Sequence, residues 1–89
     1  MTSRTIRISN QLGMHARAAA RFVHAATAFE SQIRVAVGRR VMDGKSIMGI
    51  LLLAAARGSS VTITASGADE AEAVEALCRL VESGFGEAS

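Results

Sequence analysis

The sequence predicts an α+β fold, an open-faced sandwich of order βαββαβα: a four-stranded antiparallel sheet with three helices on one face. Three observations lead to it. Four short segments alternate apolar and polar residues, as half-buried strands do. Three others repeat apolar residues at helical spacing. The positions that alternate outward on the strands are polar (Arg7, Arg34, Thr62 and Thr64), as in a sheet with one face in water. With 89 residues, the expectation is a single domain, 1–89. No repeat, linker or low-complexity tract interrupts it.

The first strand is read at Arg4–Ile8, with Ile6 and Ile8 turned to the core. Asn10–Gly13 supplies loop residues. A helix follows over Ala16–Ala28. Ala16, Ala19, Ala20, Val23 and Ala26 share one face, and Arg17, Arg21 and His24 another. The small alanines imply close packing on whatever lies beneath. Gln32–Val37 alternates again, Gly38-Arg39 makes a tight hairpin, and Arg40–Met42 is the short return strand. Asp43-Gly44 has turn chemistry. Ser46 is a good N-cap for a helix of two turns. Ile47, Ile50, Leu51 and Leu53 cannot all face inward on so short an element, so Ile47 and Met48 are expected to stay exposed as a partner surface. Val61–Ala65 is the fourth strand and Ser66-Gly67 a turn. The last helix runs from about Asp69 to Ser83, with Asp69 and Glu72 spaced as a capping box. Val74, Leu77, Cys78 and Val81 form its buried stripe, and Gly84 ends it.

Composition excludes several classes of function. Hydrophobic residues make up 49% of the chain, which is a globular and not a disordered composition. The only aromatics are Phe22, Phe29 and Phe85, so the core is expected to rest on Val, Ile, Leu, Met and Ala. The net charge is +2. The basic residues are scattered and carry no interleaved aromatics, so nucleic-acid binding is not expected. Cys78 is the only cysteine and forms no intramolecular disulfide; in its apolar stripe it reads as a small hydrophobe. The run Ile47–Ala56 is too short to span a bilayer and the N-terminus lacks a signal-peptide pattern. A cytoplasmic protein with no stable membrane association follows. Two histidines and one cysteine match no common zinc spacing, so no metal is expected. Gly44-Lys45-Ser46 resembles the end of a P-loop, but that motif needs glycine at position 39, where Arg stands.

The informative stretch is Asn10-Gln11-Leu12-Gly13-Met14-His15-Ala16-Arg17. A strand ends before it and a helix begins after it. A histidine at a helix start stands near backbone N–H groups that lack intrahelical partners. Those donors and the positive helix end favour an anion. Histidine exchanges a charged group near neutral pH, and arginine recognises phosphate or carboxylate oxygens. The combination points to a nucleophilic His15 that carries an anionic group, with phosphate the natural candidate. His24, on the polar face of the same helix with no helix end beside it, reads as a surface residue able to touch a partner. Ser46 is sufficiently explained as a cap, and phosphorylation of its hydroxyl is compatible with that role.

Two motifs, Gly13-Met14-His15-Ala16-Arg17 and Asp43-Gly44-Lys45-Ser46-Ile47-Met48-Gly49-Ile50, together resemble the HPr family, the histidine-containing phosphocarriers of the bacterial phosphotransferase system. Their separation, the element order and the length agree, so the resemblance covers essentially the whole chain. It implies that His15 accepts a phosphoryl group on Nδ1 from enzyme I and passes it to an enzyme IIA domain. It implies that Arg17 steadies the phosphate, that Ile47, Met48, Leu51, Ala20 and His24 form the docking surface, and that Ser46 is the site of HPr kinase/phosphorylase. A monomer without a cofactor is expected, working as a carrier and not as an autonomous enzyme. One departure stands out. The family commonly has proline directly after the arginine, where this chain has Ala18. The run His15-Ala16-Arg17-Ala18-Ala19 is similar to the nitrogen-related NPr branch, so the resemblance leaves the pathway open. The competing reading is a regulatory protein that docks on kinases or transcription factors under control of Ser46.

Overall fold

The computed structural model describes residues 1–53 and 55–86. Along the chain run β1 (Thr2–Arg7), α1 (Ala16–Thr27), β2 (Gln32–Val37), β3 (Arg40–Asp43), α2 (Ile47–Leu53), β4 (Ser60–Ser66) and α3 (Glu70–Glu82), then a 3₁₀ turn at Gly84–Gly86. The strands form one antiparallel sheet in the order β1-β4-β2-β3. The three helices cover one face of it, as the sequence predicts.

Alternation explains the two faces. Ile33 and Val35 of β2 and Val61, Ile63 and Ala65 of β4 are fully buried under the helices. On the other face Ser3 bonds Thr64 at 2.9 Å and Thr5 bonds Thr62 at 2.8 Å, hydroxyl to hydroxyl across β1 and β4. β1 begins two residues earlier than expected. Its pairing with the α2–β4 loop continues past its end, where the Ile8 N–H donates to the Ser59 carbonyl at 2.9 Å.

The turn after β3 requires a glycine. The Gly44 N–H donates to the Ile33 carbonyl at 2.8 Å, and a Cβ at Gly44 would stand 2.4 Å from Ile33 Cγ2. The Asp43 carboxylate accepts from the Lys45 N–H, and Ser46 caps α2 as expected, its Oγ accepting from the Gly49 N–H at 3.1 Å.

Three expectations need correction. The buried face of α1 is Ala18, Ala19, Phe22, Val23 and Ala26, so Ala16 and Ala20 lie outside the core. Four alanines among five residues gave the pattern little contrast there, and Phe22 sets the true orientation. The core also rests on phenylalanine more than composition suggests, since Phe22 and Phe85 are its largest fully buried side chains. Phe85 holds a left-handed φ of 59°. Burying such a ring contributes about 1.5–3 kcal/mol, enough to offset the roughly 1–2 kcal/mol of that conformation.

The third correction is the capping box, which does not form, because Asp69 makes no cap bond in its own helix. Its carboxylate accepts instead from the Glu30 N–H, the Ser31 N–H and the Ser31 hydroxyl. It thereby ties the start of α3 to the α1–β2 connection. The bond from the Ser31 hydroxyl, with those backbone N–H groups, holds the Asp69 carboxyl below its ordinary value. Glu70 reaches back to the Gly67 N–H. It also accepts from the N-terminal ammonium at 2.8 Å and the Thr2 hydroxyl at 2.6 Å. The ammonium first, then Thr2, lower its carboxyl to about 2.

A carboxylate with a depressed pKa stabilises the fold fully above its unfolded value, and the contribution disappears as pH falls through the folded value. For Glu70 that window runs from 4.5 down to about 2. The thermal midpoint should therefore fall on acidification through this window, and Glu70→Gln should flatten the fall while lowering the midpoint at neutral pH. Circular-dichroism melts between pH 2 and pH 7 check this; an equally steep fall in the variant would assign the acid sensitivity to other groups.

Candidate functional site

His15 is the N-cap of α1. Its backbone is extended (φ −75°, ψ −179°), while its carbonyl already accepts the first helical bond from the Ala19 N–H at 2.8 Å. Its ring turns back over the helix end, where Nδ1 accepts from the Arg17 N–H at 3.3 Å. An imidazole nitrogen that accepts bears the lone pair, so the ring proton belongs on Nε2. The N–H groups of Ala16, Arg17 and Ala18 have no carbonyl partner within the helix. His15 is half-buried, and Ala16 and Arg17 are exposed.

The loop before His15 fixes this geometry. Gly13 has φ +64°, and a Cβ there would stand 2.5 Å from the Ala55 carbonyl oxygen and 2.9 Å from Ala56 Cα. Only glycine allows that approach, and it lets the Met14 N–H donate to the Ala55 carbonyl at 2.8 Å. Asn10, only 1% exposed, closes the loop from within. Its Nδ2 donates to the Gly13 carbonyl at 2.7 Å, and its own carbonyl accepts from the Gly13 N–H at 3.1 Å.

The charge around the site is positive. α1 carries Arg17, Arg21 and His24 and no acidic residue. The start of α3, by contrast, carries Glu70 and Glu72, which neutralise its positive end. The Arg17 guanidinium is exposed, with no hydrogen bond or ion pair to another described residue. An anion arriving at His15 therefore meets a helix end, one committed N–H and a guanidinium able to turn toward it. Among the described residues no three His, Cys, Asp or Glu side chains gather as a bound cation would need. Cys78 is fully buried, and burial raises its thiol pKa, as expected of a small hydrophobe.

α1 and α2 lie antiparallel. At one end of the pair Met14 bonds Ala55, just past α2. At the other the Lys45 ammonium donates to the Phe29 carbonyl at 2.7 Å, just past α1. Arg40 closes the far end of α2 by donating to the Leu52 carbonyl at 3.1 Å. Ser46 and the first turn of α2 are thus beside the last turn of α1, about 15–20 Å along the helix from His15 at 1.5 Å per residue. The expectation that the apolar first turn of α2 borders His15 is corrected: the antiparallel packing puts the end of α2 there instead. Ile47, Met48 and Leu51 are exposed by 47%, 68% and 37%. Ala20 and His24 are exposed on α1. Ala20 and His24 are one turn apart on α1, as Ile47 and Leu51 are on α2.

Leu12 in the His15 loop and Leu52 on α2 are also exposed, by 70% and 55%. The sequence reading missed both. Leu12 has no periodic context, yet a large apolar residue in a polar loop beside a histidine is itself a signal. Also missed was the C-terminal 3₁₀ turn, which α1 holds through a bond from Arg21 Nη1 to the Phe85 carbonyl.

Known proteins resemble this chain along nearly its whole length. Residues 2–83 match the family model described as the PTS HPr component phosphorylation site. Phosphocarrier protein HPr of Neisseria meningitidis is 45% identical over 87 residues, covering 98% of each chain. Phosphocarrier protein NPr of Shewanella violacea is 36% identical over 86 residues, covering 97% of this chain and 94% of that one. Among solved structures, HPr-C-His from Thermoanaerobacter tengcongensis superposes with a TM-score of 0.96 at 47% identity, covering 100% of both chains.

Adding a Cβ at Gly13 should both strain φ and push the Ala55 backbone away. Gly13→Ala is expected to destabilise the fold by about 2–4 kcal/mol. It should also shift the Met14 and Arg17 amide resonances, as denaturant unfolding and ¹H–¹⁵N spectra would report. A variant as stable as the parent, with those amides unmoved, would remove Gly13 from the support of His15.

Proposed function

The chain belongs to the HPr family of phosphotransferase-system phosphocarriers, and from that premise we propose that His15 is the residue that carries the phosphoryl group. The observation that carries the proposal is the bond from the Arg17 N–H to His15 Nδ1, which leaves a lone pair on the nitrogen nearest the helix end. In the transfer, that lone pair attacks the phosphorus held by enzyme I. The N–P bond forms as the bond from phosphorus to its donor breaks, and the donor keeps that electron pair. Nε2 keeps its proton, so the ring becomes cationic beside the phosphoryl oxygens. Those oxygens replace Nδ1 as acceptor for the Arg17 N–H and also face the free N–H groups of the first turn, and the Arg17 guanidinium binds them from outside. Transfer to an enzyme IIA domain reverses the sequence.

Phosphoryl transfer depends on positioning and charge stabilisation more than on covalent machinery. A carrier therefore needs only an anion-binding helix end and a face that two partners use in turn. Ile47, Met48, Leu51, Ala20 and His24 are proposed as that face, with Leu12 and Leu52 beside them. Contacts of this kind are small, below about 1,200 Å² in total. The chain is proposed to act as a cytoplasmic monomer; no described helix is long and apolar enough to cross a membrane.

A second reading has one specific observation in its favour. Ser46 Oγ accepts from the Gly49 N–H at the start of α2, and a phosphate there would face the N–H groups of that turn and Lys45. A kinase of the HPr kinase/phosphorylase type would then alter the docking face at the end remote from His15, and the chain would serve chiefly in regulation of kinases or transcription factors. Labelling the chain with such a kinase tests this: an acid-stable phosphate absent from Ser46→Ala supports it, and one that persists in the variant places the modification elsewhere.

Incubation with phosphoenolpyruvate and a cognate enzyme I should put an acid-labile, base-stable phosphate on the parent chain and none on His15→Ala. Arg17→Ala should still accept phosphate, slower by on the order of tenfold or more. Absence of label on the parent chain with a competent enzyme I would refute the carrier role.

A further inference from the structure

Arg21 lies one helical turn beyond Arg17, on the same side of α1. It is exposed, but its Nη1 donates to the Phe85 carbonyl. The turn it grips is tightly determined. Gly84, Phe85 and Gly86 all have left-handed φ, at 69°, 59° and 74°, and the Phe85 ring is fully buried. A Cβ at Gly84 would lie 3.4 Å from Asn10 Cβ, and one at Gly86 would lie 3.4 Å from Arg21 Nη1. Asn10 is the residue that closes the His15 loop through its two bonds with Gly13. A line of neighbours therefore runs from Arg21 through Phe85 to Gly84, whose open side faces Asn10, and on to Gly13 and His15. It begins and ends on the first two turns of α1.

We propose that Arg21 is a positioning residue for phosphoryl transfer: by clasping the Phe85 carbonyl it seats the Gly84–Gly86 turn against Asn10 and so fixes the loop that aims His15. The inference rests on His15 being the phosphoryl acceptor. It gives Arg21 a role unlike that of Arg17, whose guanidinium is left to the phosphoryl group. Both side chains are cationic and exposed, but Arg21 acts through the backbone of the C-terminal turn. Alignment carries large rate consequences, because displacements near 1 Å can cost on the order of 100-fold in rate.

The test compares the full chain with Arg21→Ala, Arg21→Lys and Gly84→Ala in steady-state transfer from phosphorylated enzyme I. Gly84→Ala keeps the Arg21 charge but strains the turn at φ +69°. Arg21→Ala is expected to lower kcat roughly tenfold with KM changed less than about threefold. The Asn10, Gly13 and Arg17 amide resonances should move with it. Gly84→Ala should reproduce both effects, the double variant should lose no more than either single one, and Arg21→Lys should restore much of the rate. Melting curves confirm that each variant is folded at the assay temperature. If Gly84→Ala unfolds, the amide shifts and the kcat-against-KM split of the Arg21 variants decide alone. A rise in KM with kcat intact would make Arg21 a docking charge and overturn the proposal, as would unmoved amides with an unchanged rate. Failure of the parent chain to take up phosphate at His15 would refute the carrier reading itself, and label on the parent separates the two.

Discussion

The site depends on how closely two loops approach at Gly13. With a side chain at that position the β1–α1 loop could not reach the backbone of Ala55 and Ala56, and the Met14 N–H would lose its acceptor. That bond joins the segment that carries His15 to the segment that leaves α2. The Ile8–Ser59 and Gly58–Ile8 bonds extend the same seam from the end of β1. The direction in which α1 leaves the sheet, and hence the direction of its N-terminal N–H groups, is set there.

The two long helices begin in opposite electrostatic circumstances. α3 starts with Asp69, Glu70 and Glu72, and the first two are committed to backbone N–H groups, hydroxyls and the N-terminal ammonium. α1 starts with a histidine ring and has no acidic residue at all. A neutral ring satisfies one N–H and leaves the dipole of the helix uncompensated. The sequence gives up some helix stability at α1, and the uncompensated helix end is what the proposed phosphoryl site at His15 would use. Ala18 is consistent with this balance. It is fully buried and a good helix former, so the helix starts cleanly without the proline common in the family.

Much of this was legible in the sequence because it rests on local periodicity. Alternation in Gln32–Val37 and Val61–Ala65 located two central strands, and Ser46 was recognised as a cap from its neighbours alone. The position of His15 at a helix start could be read the same way. What escaped had partners far along the chain. Asp69 pairs with Ser31, 38 residues away, so a rule that looks three residues ahead assigned it the wrong partner. Phe85 stands between glycines with no periodic context, and only its burial and the bond from Arg21 to its carbonyl give it a place. The exposure of Ile47 and Met48 followed from helix length, but the end of α2 that faces His15 depended on the Met14–Ala55 backbone bond and the bond from the Lys45 ammonium to the Phe29 carbonyl, which no motif encodes.

The paired hydroxyls on the open face of the sheet have a consequence for traffic. Ser3 with Thr64 and Thr5 with Thr62 satisfy one another, so the β1–β4 stretch of that side spends its hydroxyls within the sheet. A relay that must leave one partner before meeting the next gains from hydroxyls already spent, because they do not detain what collides with its back. The threonine-rich face thus helps keep the molecule in circulation.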